Sequence, residues 1–270
     1  MSVITLLTDF GNKDEYVGTV KGVILSINPY VTIVDITHFI DPYNLTQTAY
    51  IITSFYKYFP KGTVHTVVVD PGVGTKRAII AIETDNYVFL APDNGILTLI
   101  AQKEKINSII RIENDDFFLK PVSQTFHGRD IFAPVAAHIS KGTAIDRFGS
   151  VIEKKEIKCL SINKPCVSAD NQISGQIVSI DQFGNLVTNI DKFFFERFNK
   201  KKENHYCEIQ ISGKKYTNIC ICKNYKSAKP QTPIAIFGSR GYLEISLNRG
   251  SAKQYFMTEK GDDIIITISK

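Results

Sequence analysis

The feature that most constrains this chain is a change of pattern partway along it. Over roughly the first 150 residues, short β-branched runs at 3–7, 32–34, 64–69 and 87–90 alternate with helix-like stretches. The clearest helix spans residues 45–58, where Leu45, Ala49, Ile52 and Tyr56 recur at steps of three and four. A second covers 18–27 and closes at Asn28-Pro29; a third covers 131–140 and closes at Gly142. Strands separated by helices predict an N-terminal α/β domain built on a mostly parallel sheet covered on both faces. Beyond about residue 158 the pattern becomes short strand-like runs at 175–180, 185–190, 207–211, 216–221, 233–237, 242–247 and 263–269, broken at Gly and Asn. Such spacing predicts a smaller C-terminal all-β, barrel-like domain. Residues 158–171 hold Pro165 and no helical period, so the domains are expected at 1–160 and 168–270.

Composition supports two folded domains. The 270 residues are 43% hydrophobic and 22% charged, near the globular average, which excludes a disordered or fibrous chain. No run approaches the roughly 18 apolar residues of a spanning helix, and no basic residue precedes the short apolar run at 3–7, so neither membrane insertion nor secretion is expected. Five cysteines, an odd number, predict reduced thiols and a cytoplasmic location. The net charge of +5 gathers locally at 200–202 and 223–229, short runs that read as solvated loops rather than as a nucleic-acid interface.

In an open α/β sheet, ligands collect outside the carboxyl ends of the strands. Asp9, Asp35, Asp70 and Asp93 each follow a strand-like run. Any one of them alone reads equally as a turn or capping residue; four together predict a cleft rich in carboxylate. The segment Asp70-Pro71-Gly72-Val73-Gly74-Thr75-Lys76-Arg77 is neither a dinucleotide fingerprint nor a phosphate loop. Thr125-Phe126-His127-Gly128-Arg129-Asp130 precedes the third helix, and His127 is there either a structural residue or a general base. In the β half, Asp181-Gln182-Phe183-Gly184-Asn185 and Phe237-Gly238-Ser239-Arg240-Gly241-Tyr242 break apolar strands, as hairpin turns or as ligand-contact loops. A hairpin tipped at Gly213-Lys214 would set Cys207 opposite Cys220 and His205 opposite Cys222, a candidate metal or redox cluster, although small buried cysteines explain the pattern as well.

Six segments in order, Thr8-Asp9-Phe10-Gly11, Asp70-Pro71-Gly72-Val73-Gly74, Ala91-Pro92-Asp93-Asn94-Gly95, Phe126-His127-Gly128-Arg129-Asp130, Phe183-Gly184-Asn185-Leu186-Val187-Thr188-Asn189 and Ser239-Arg240-Gly241-Tyr242, resemble the S-adenosyl-L-methionine hydroxide adenosyltransferase family over essentially the whole chain. The resemblance implies hydrolysis of S-adenosyl-L-methionine to adenosine and methionine, kinship with the fluorinase and chlorinase, and a homotrimer whose active sites lie at subunit interfaces. It implies a water-activating triad of Asp70, Arg77 and His127 in the N-terminal catalytic domain, with Asp9 on the ribose diol and Tyr43 lining the ribose and methionine pocket. From the C-terminal substrate-binding domain, Asp181, Phe183, Asn185, Ser239 and Arg240 match positions that hold methionine or adenine, with Tyr225 a candidate for stacking on the base. Phe126, Asp14 and Asn94 complete the implied substrate contacts.

Departures from the halogenase pattern point away from fluoride: the fluorinase has Tyr, Thr and Ser where this chain has Asp70, Val73 and Gly128, and it carries an insertion near 83–87 that is missing here. A chlorinase-like halogenase and a non-catalytic adenosyl-ligand-binding protein remain the alternatives. A metal-dependent hydrolase drawn from Asp9, Asp35, Asp70 and His127 is a weaker one, since no His-x-x-x-His or comparable ligand spacing occurs. No cofactor or metal is expected, because a sulfonium departs as a neutral thioether and needs neither a general acid nor a Lewis acid. Whether Asp70 or His127 acts as the base is left open by the residues.

Overall fold

The computed structural model describes residues 2–169, 171–199 and 206–268. The chain separates into two compact units, one ending at Ser161 and the other beginning at Ile162. In the first unit the strands are β1 (Val3–Thr8), β2 (Thr32–Thr37), β3 (Thr63–Val68), β4 (Ile79–Thr84), β5 (Tyr87–Pro92), β6 (Ile106–Ile112) and β7 (Gly149–Val151), and the helices are α1 (Tyr16–Ile27), α2 (Leu45–Phe55), α3 (Thr98–Lys103) and α4 (Ala133–Ser140). The sheet order is β2-β1-β3-β5-β4-β6-β7. β2, β1, β3 and β5 pair in parallel, β4 inserts antiparallel between β5 and β6, and β7 runs antiparallel to β6. Most strands therefore share one direction, as the alternating pattern predicts.

Every residue of β3 and of β5 is buried, because helices cover both faces of the sheet. On one face Leu6, Val64, Val68 and Leu90 pack with Val20 and Ile24 of α1 and with Val135 and Ala136 of α4. On the other, Leu7, Val67, Phe89 and Ala91 pack with Ile52 of α2 and Ile100 of α3. α2 begins where the Asn44 side chain accepts a hydrogen bond from the Gln47 N–H, and it gives way to a 3₁₀ turn at Tyr56–Tyr58, so the helix expected over 45–58 is shorter and tightens at its end. The third expected helix also differs at its start: Gly128–Phe132 form a π turn that runs directly into α4.

The second unit contains β8 (Cys166–Ala169), β9 (Gln172–Ile180), β10 (Leu186–Asp191), β11 (Tyr206–Ile211), β12 (Lys214–Cys222), β13 (Pro233–Phe237), β14 (Tyr242–Leu247) and β15 (Asp263–Ile268), with α5 (Lys192–Phe198) and α6 (Ala252–Phe256). The order β10-β14-β13-β12-β11-β15-β9 closes on itself through the β9–β10 pairing, giving a seven-stranded barrel with β8 alongside β9. Ile173, Ile177, Ile209, Ile211, Leu243, Ile245, Ile264 and Ile266 fill its interior.

The strand register expected for the cysteines of this unit is not the one the structure shows. Ser212 and Gly213, with φ of 50° and 77°, make the two-residue turn, so the hairpin closes between Ile211 and Lys214. Cys207 then lies opposite Ile219 and Cys220 opposite Tyr206. Cys207 is buried and its thiol points to the Ile219 carbonyl, whereas Cys220 and Cys222 are joined to each other as a disulfide, so the expectation of reduced thiols throughout does not hold. His205 lies outside the described residues.

Candidate active site

The first unit gathers its reactive groups where the chain changes direction across the sheet. From β1 the connection passes to β2 on one side and then back to β3 on the other, so the carboxyl ends of β1 and β3 border the switch point at which open α/β sheets bind ligands. Asp9 follows β1 and Asp70 stands just past the end of β3. A cavity of about 330 Å³ opens there, lined among others by Asp9, Phe10, Tyr16, Tyr43, Asp70, Val73, Phe126 and His127.

The 70–77 loop folds back so that its two ends meet. Asp70 Oδ1 accepts the Gly72 N–H at 3.1 Å, and the Thr75 hydroxyl donates to the Gly72 carbonyl at 2.7 Å, which sets the first turn. Arg77 then returns to grip Asp70 in a bidentate pair, Nε donating to Oδ1 at 3.0 Å and Nη2 to Oδ2. The two side chains are only 4% and 5% exposed. Arg77 Nη2 also reaches His127 Nδ1 at 3.4 Å; since a guanidinium only donates, Nδ1 is the acceptor in this arrangement. Gly74 lets the loop sit hard against its neighbour: its φ is 75°, and a Cβ there would overlap the Gln124 carbonyl oxygen, three residues before His127. On the other side, Asp130 is fully buried and fixes the His127 turn by accepting from Arg129 Nε at 2.6 Å and from the Ser123 N–H at 2.8 Å.

Electrostatics follow from this burial. Desolvation lowers the proton affinity of His127, and the neighbouring Arg77 cation lowers it further, so the imidazole is neutral at pH 7. Desolvation also raises the Asp9 pKa, opposed by the Tyr43 N–H that donates to Oδ2 at 3.1 Å and reinforced by the nearby Asp70. Tyr43 adopts a φ of 64° where it makes that bond, and the residue is 66% exposed beside the cavity.

Other expected residues fall elsewhere. Asp14 is exposed and does not line the cavity. Asn94 turns inward, donating to the Val69 carbonyl at 3.0 Å, so it secures the end of β3. Asp35 lies within β2 rather than after it and pairs with Lys21 and His38, while Asp93 accepts the Lys158 N–H at 2.9 Å. The carboxylate cleft therefore reduces to Asp9 and Asp70. Among the described residues no group of three or more His, Cys, Asp or Glu is arranged to hold a metal ion.

The barrel carries its own cavity, of about 760 Å³, lined by all six of its expected site residues: Asp181, Phe183, Asn185, Tyr225, Ser239 and Arg240. Phe183 and Tyr225 are 68% and 42% exposed, leaving aromatic faces open for stacking. Asp181 is committed to its own turn, accepting the N–H groups of Phe183 and Asn185 at 2.9 Å each and the Asn185 side-chain amide at 2.8 Å. The cavity also exposes Glu244, which reading the sequence missed because it stands inside an apolar strand run; its one signal was a lone carboxylate there.

An α/β sheet with carboxylate, guanidinium and imidazole gathered at its switch point, followed by a barrel with a charged and aromatic cavity, has the layout of an enzyme that handles a small polar ligand. The chain belongs to the SAM hydroxide adenosyltransferase family: the family's N-terminal domain matches residues 4–149 and its C-terminal domain matches residues 175–265. An (R)-S-adenosyl-L-methionine hydrolase of Methanocaldococcus jannaschii is 34% identical, with 98% of this chain and 96% of the relative aligned. A fluorinase of an Actinoplanes species is 25% identical over 98% of this chain and 97% of the relative. The crystal structure of an uncharacterized conserved protein from Thermotoga maritima superposes with a TM-score of 0.92 at 37% identity, covering 98% of this chain and 99% of that one.

Proposed function

We propose that this protein hydrolyses S-adenosyl-L-methionine to adenosine and L-methionine by attack of an activated water at the ribose C5′. The supporting observation is the buried Asp70–Arg77 pair with half-buried His127 beside it, at one edge of a cavity that Asp9 and Tyr43 also line, in a chain whose full-length relatives include the hydrolases. In the reaction the water oxygen bonds to C5′, the C5′–S bond breaks, and its electron pair leaves with methionine as a neutral thioether. The released proton passes to Asp70 or to the neutral imidazole of His127. Arg77 stabilises the developing hydroxide, while Asp9 accepts both ribose hydroxyls, for which a carboxylate has the lone pairs. In-line positioning removes roughly 7–11 kcal/mol of barrier and a placed base adds about 10²–10⁴-fold, so no metal or cofactor is required by this route.

The barrel cavity takes the remaining parts of the substrate, with Phe183 or Tyr225 against the adenine. The active molecule is a homotrimer with its sites at the interfaces between copies, and it works in the cytoplasm. Supporting the hydrolase over a halogenase, Asp70 occupies the position of a fluorinase tyrosine, and Val73 beside it offers the cavity no hydroxyl. The deciding experiment is incubation with S-adenosyl-L-methionine in ¹⁸O-water. Label in the 5′-hydroxyl of released adenosine is expected. A halogenated nucleoside in the presence of halide, or tight binding without any product, overturns the reading.

A further inference from the structure

A buried histidine that does not line the cavity is built into the turn that carries Asp9. His38 stands one residue past β2 and is only 3% exposed. Its Nδ1 lies 2.8 Å from the Thr8 hydroxyl, and that hydroxyl also accepts the Phe10 N–H at 3.3 Å. The His38 carbonyl takes the Gly11 N–H at 2.7 Å, and the Thr8 carbonyl takes the Ile40 N–H at 3.4 Å. Asp9 is thereby bracketed. The residue before it and the second residue after it are both fastened to the segment 38–40, while its own carboxylate accepts the Tyr43 N–H. Behind the ring, His38 Nε2 lies 3.1 Å from Asp35 Oδ1, off the axis of a straight hydrogen bond, and Lys21 holds the other oxygen of that carboxylate at 2.5 Å. A carboxylate beside Nε2 assigns the ring proton to that nitrogen and leaves Nδ1 as an acceptor. The Thr8 hydroxyl then donates to Nδ1 and keeps a lone pair for the Phe10 N–H. Asp35, which does not reach the cavity, acts on it by orienting this ring.

Burying an imidazole is costly, and an apolar side chain would fill the same space without that cost. What the imidazole supplies and an apolar side chain does not is an acceptor for Thr8, the neighbour of the cavity's carboxylate. A carboxylate meets both hydroxyls of a ribose only if its plane and position are fixed, and a turn left to move by about 1 Å forfeits much of that contact. We infer that His38 is a positioning residue, which through Thr8 and Gly11 holds the Asp9 turn where the carboxylate meets the ribose diol. This inference rests on the hydrolase reading for the ribose and for the part Asp9 plays in gripping it.

The test compares S-adenosyl-L-methionine with its 2′-deoxy analogue, which lacks one of the two hydroxyls, in the full-length protein and in variants of His38. Wild type is expected to prefer the ribose substrate by about 10- to 100-fold in kcat/KM, the range for a hydrogen bond to a charged group. An Asn amide can stand in for Nδ1 and a Gln amide for Nε2. His38→Asn therefore keeps most of the preference, and His38→Gln loses it. Thr8→Val, which removes the hydroxyl while keeping the branched shape, loses it too and replaces His38→Gln should that variant fold poorly. Because the readout is a ratio within one protein, a uniform loss of active enzyme cancels. A preference retained in both His38→Gln and Thr8→Val, or lost equally in His38→Asn and His38→Gln, overturns the inference, since the ring would then serve the core by its bulk alone. A wild type that releases adenosine and 2′-deoxyadenosine equally well removes Asp9 from the diol, and the inference with it, while hydrolysis stands. No nucleoside release at all sinks the hydrolase reading instead. Calorimetric titration of adenosine and 2′-deoxyadenosine into the same proteins then decides the role of His38 by the same ratio.

Discussion

At the scale of single residues, the site is a buried ion pair with an imidazole at its edge, and its parts have different expected failures. Asp70→Ala leaves the Arg77 cation buried without its partner, so turnover should fall by at least about 10³-fold while ligand binding, measured by calorimetry, is partly retained. His127 separates the two candidate bases. Its proton affinity is held below the ordinary value by burial and by Arg77, so if the imidazole accepts the proton, activity is level through neutral pH and falls only on the acid side of the ordinary imidazole range. His127→Asn then removes most of the rate and the acidic limb together; a variant that keeps most of the rate leaves Asp70 as the base. A pH–rate profile of kcat/KM for the two proteins distinguishes the outcomes. Asp9 and Asp70 were readable in the sequence because each directly follows an apolar run that could only be a strand. Asp35 was misplaced because β2, a half-exposed edge strand, extends past the three β-branched residues that announced it. Glu244 was hidden because local patterning cannot say which face of a barrel strand opens on a cavity.

At the scale of elements, loop geometry does the positioning. Gly74 is the point where the 70–77 loop meets the segment leading to His127, in a left-handed conformation with no space for a side chain. Gly74→Ala should therefore cost roughly 1–3 kcal/mol of stability and depress kcat as well, since the loop must lift away from Gln124 and carry Asp70 and Arg77 with it. Chemical denaturation together with initial rates would show both effects; a stable variant with unchanged kcat would mean that the loop adapts without moving its ends. Helices and parallel strands of the first unit were legible from periodicity and β-branched runs. The π turn at Gly128–Phe132 was not, because its extra residue per turn leaves no hydrophobic period to read. The cysteine hairpin was misread by one residue, since Ser212 rather than Lys214 shares the turn with Gly213 and only backbone conformation reveals it.

At the scale of the whole molecule, acid stability is set in part by a residue remote from the cavity. His65 on β3 is fully buried among Phe55, Tyr56, Phe59, Tyr87 and Phe89, with Thr5 as the hydrogen-bond partner of Nδ1. Burial pushes its pKa down to about 3 from an ordinary value near 6.5. Between those values the unfolded chain takes up a proton that the folded chain refuses, so stability declines as pH falls, by about 1.4 kcal/mol per unit. Unfolding free energies measured from pH 7 to pH 4 should show that slope, and His65→Leu should flatten it whatever its absolute stability. An unchanged slope in the variant would assign acid sensitivity to other groups. Oligomeric state belongs to this scale as well: a trimeric mass in solution is expected, and a monomeric one that still releases adenosine would remove the interface from the proposal.

The order of strands around the barrel has a consequence for how the protein is made. β15 sits between β9 and β11, so the last strand of the barrel to be synthesised completes a ring begun almost a hundred residues earlier. The α/β unit has all its strands by Val151 and is free to fold on the ribosome, whereas the barrel must wait for residue 268 with β9 and β11 exposing unsatisfied edges. A nascent chain stalled before Asp263 would carry a finished first half and an open, sticky second one, the natural target for a chaperone.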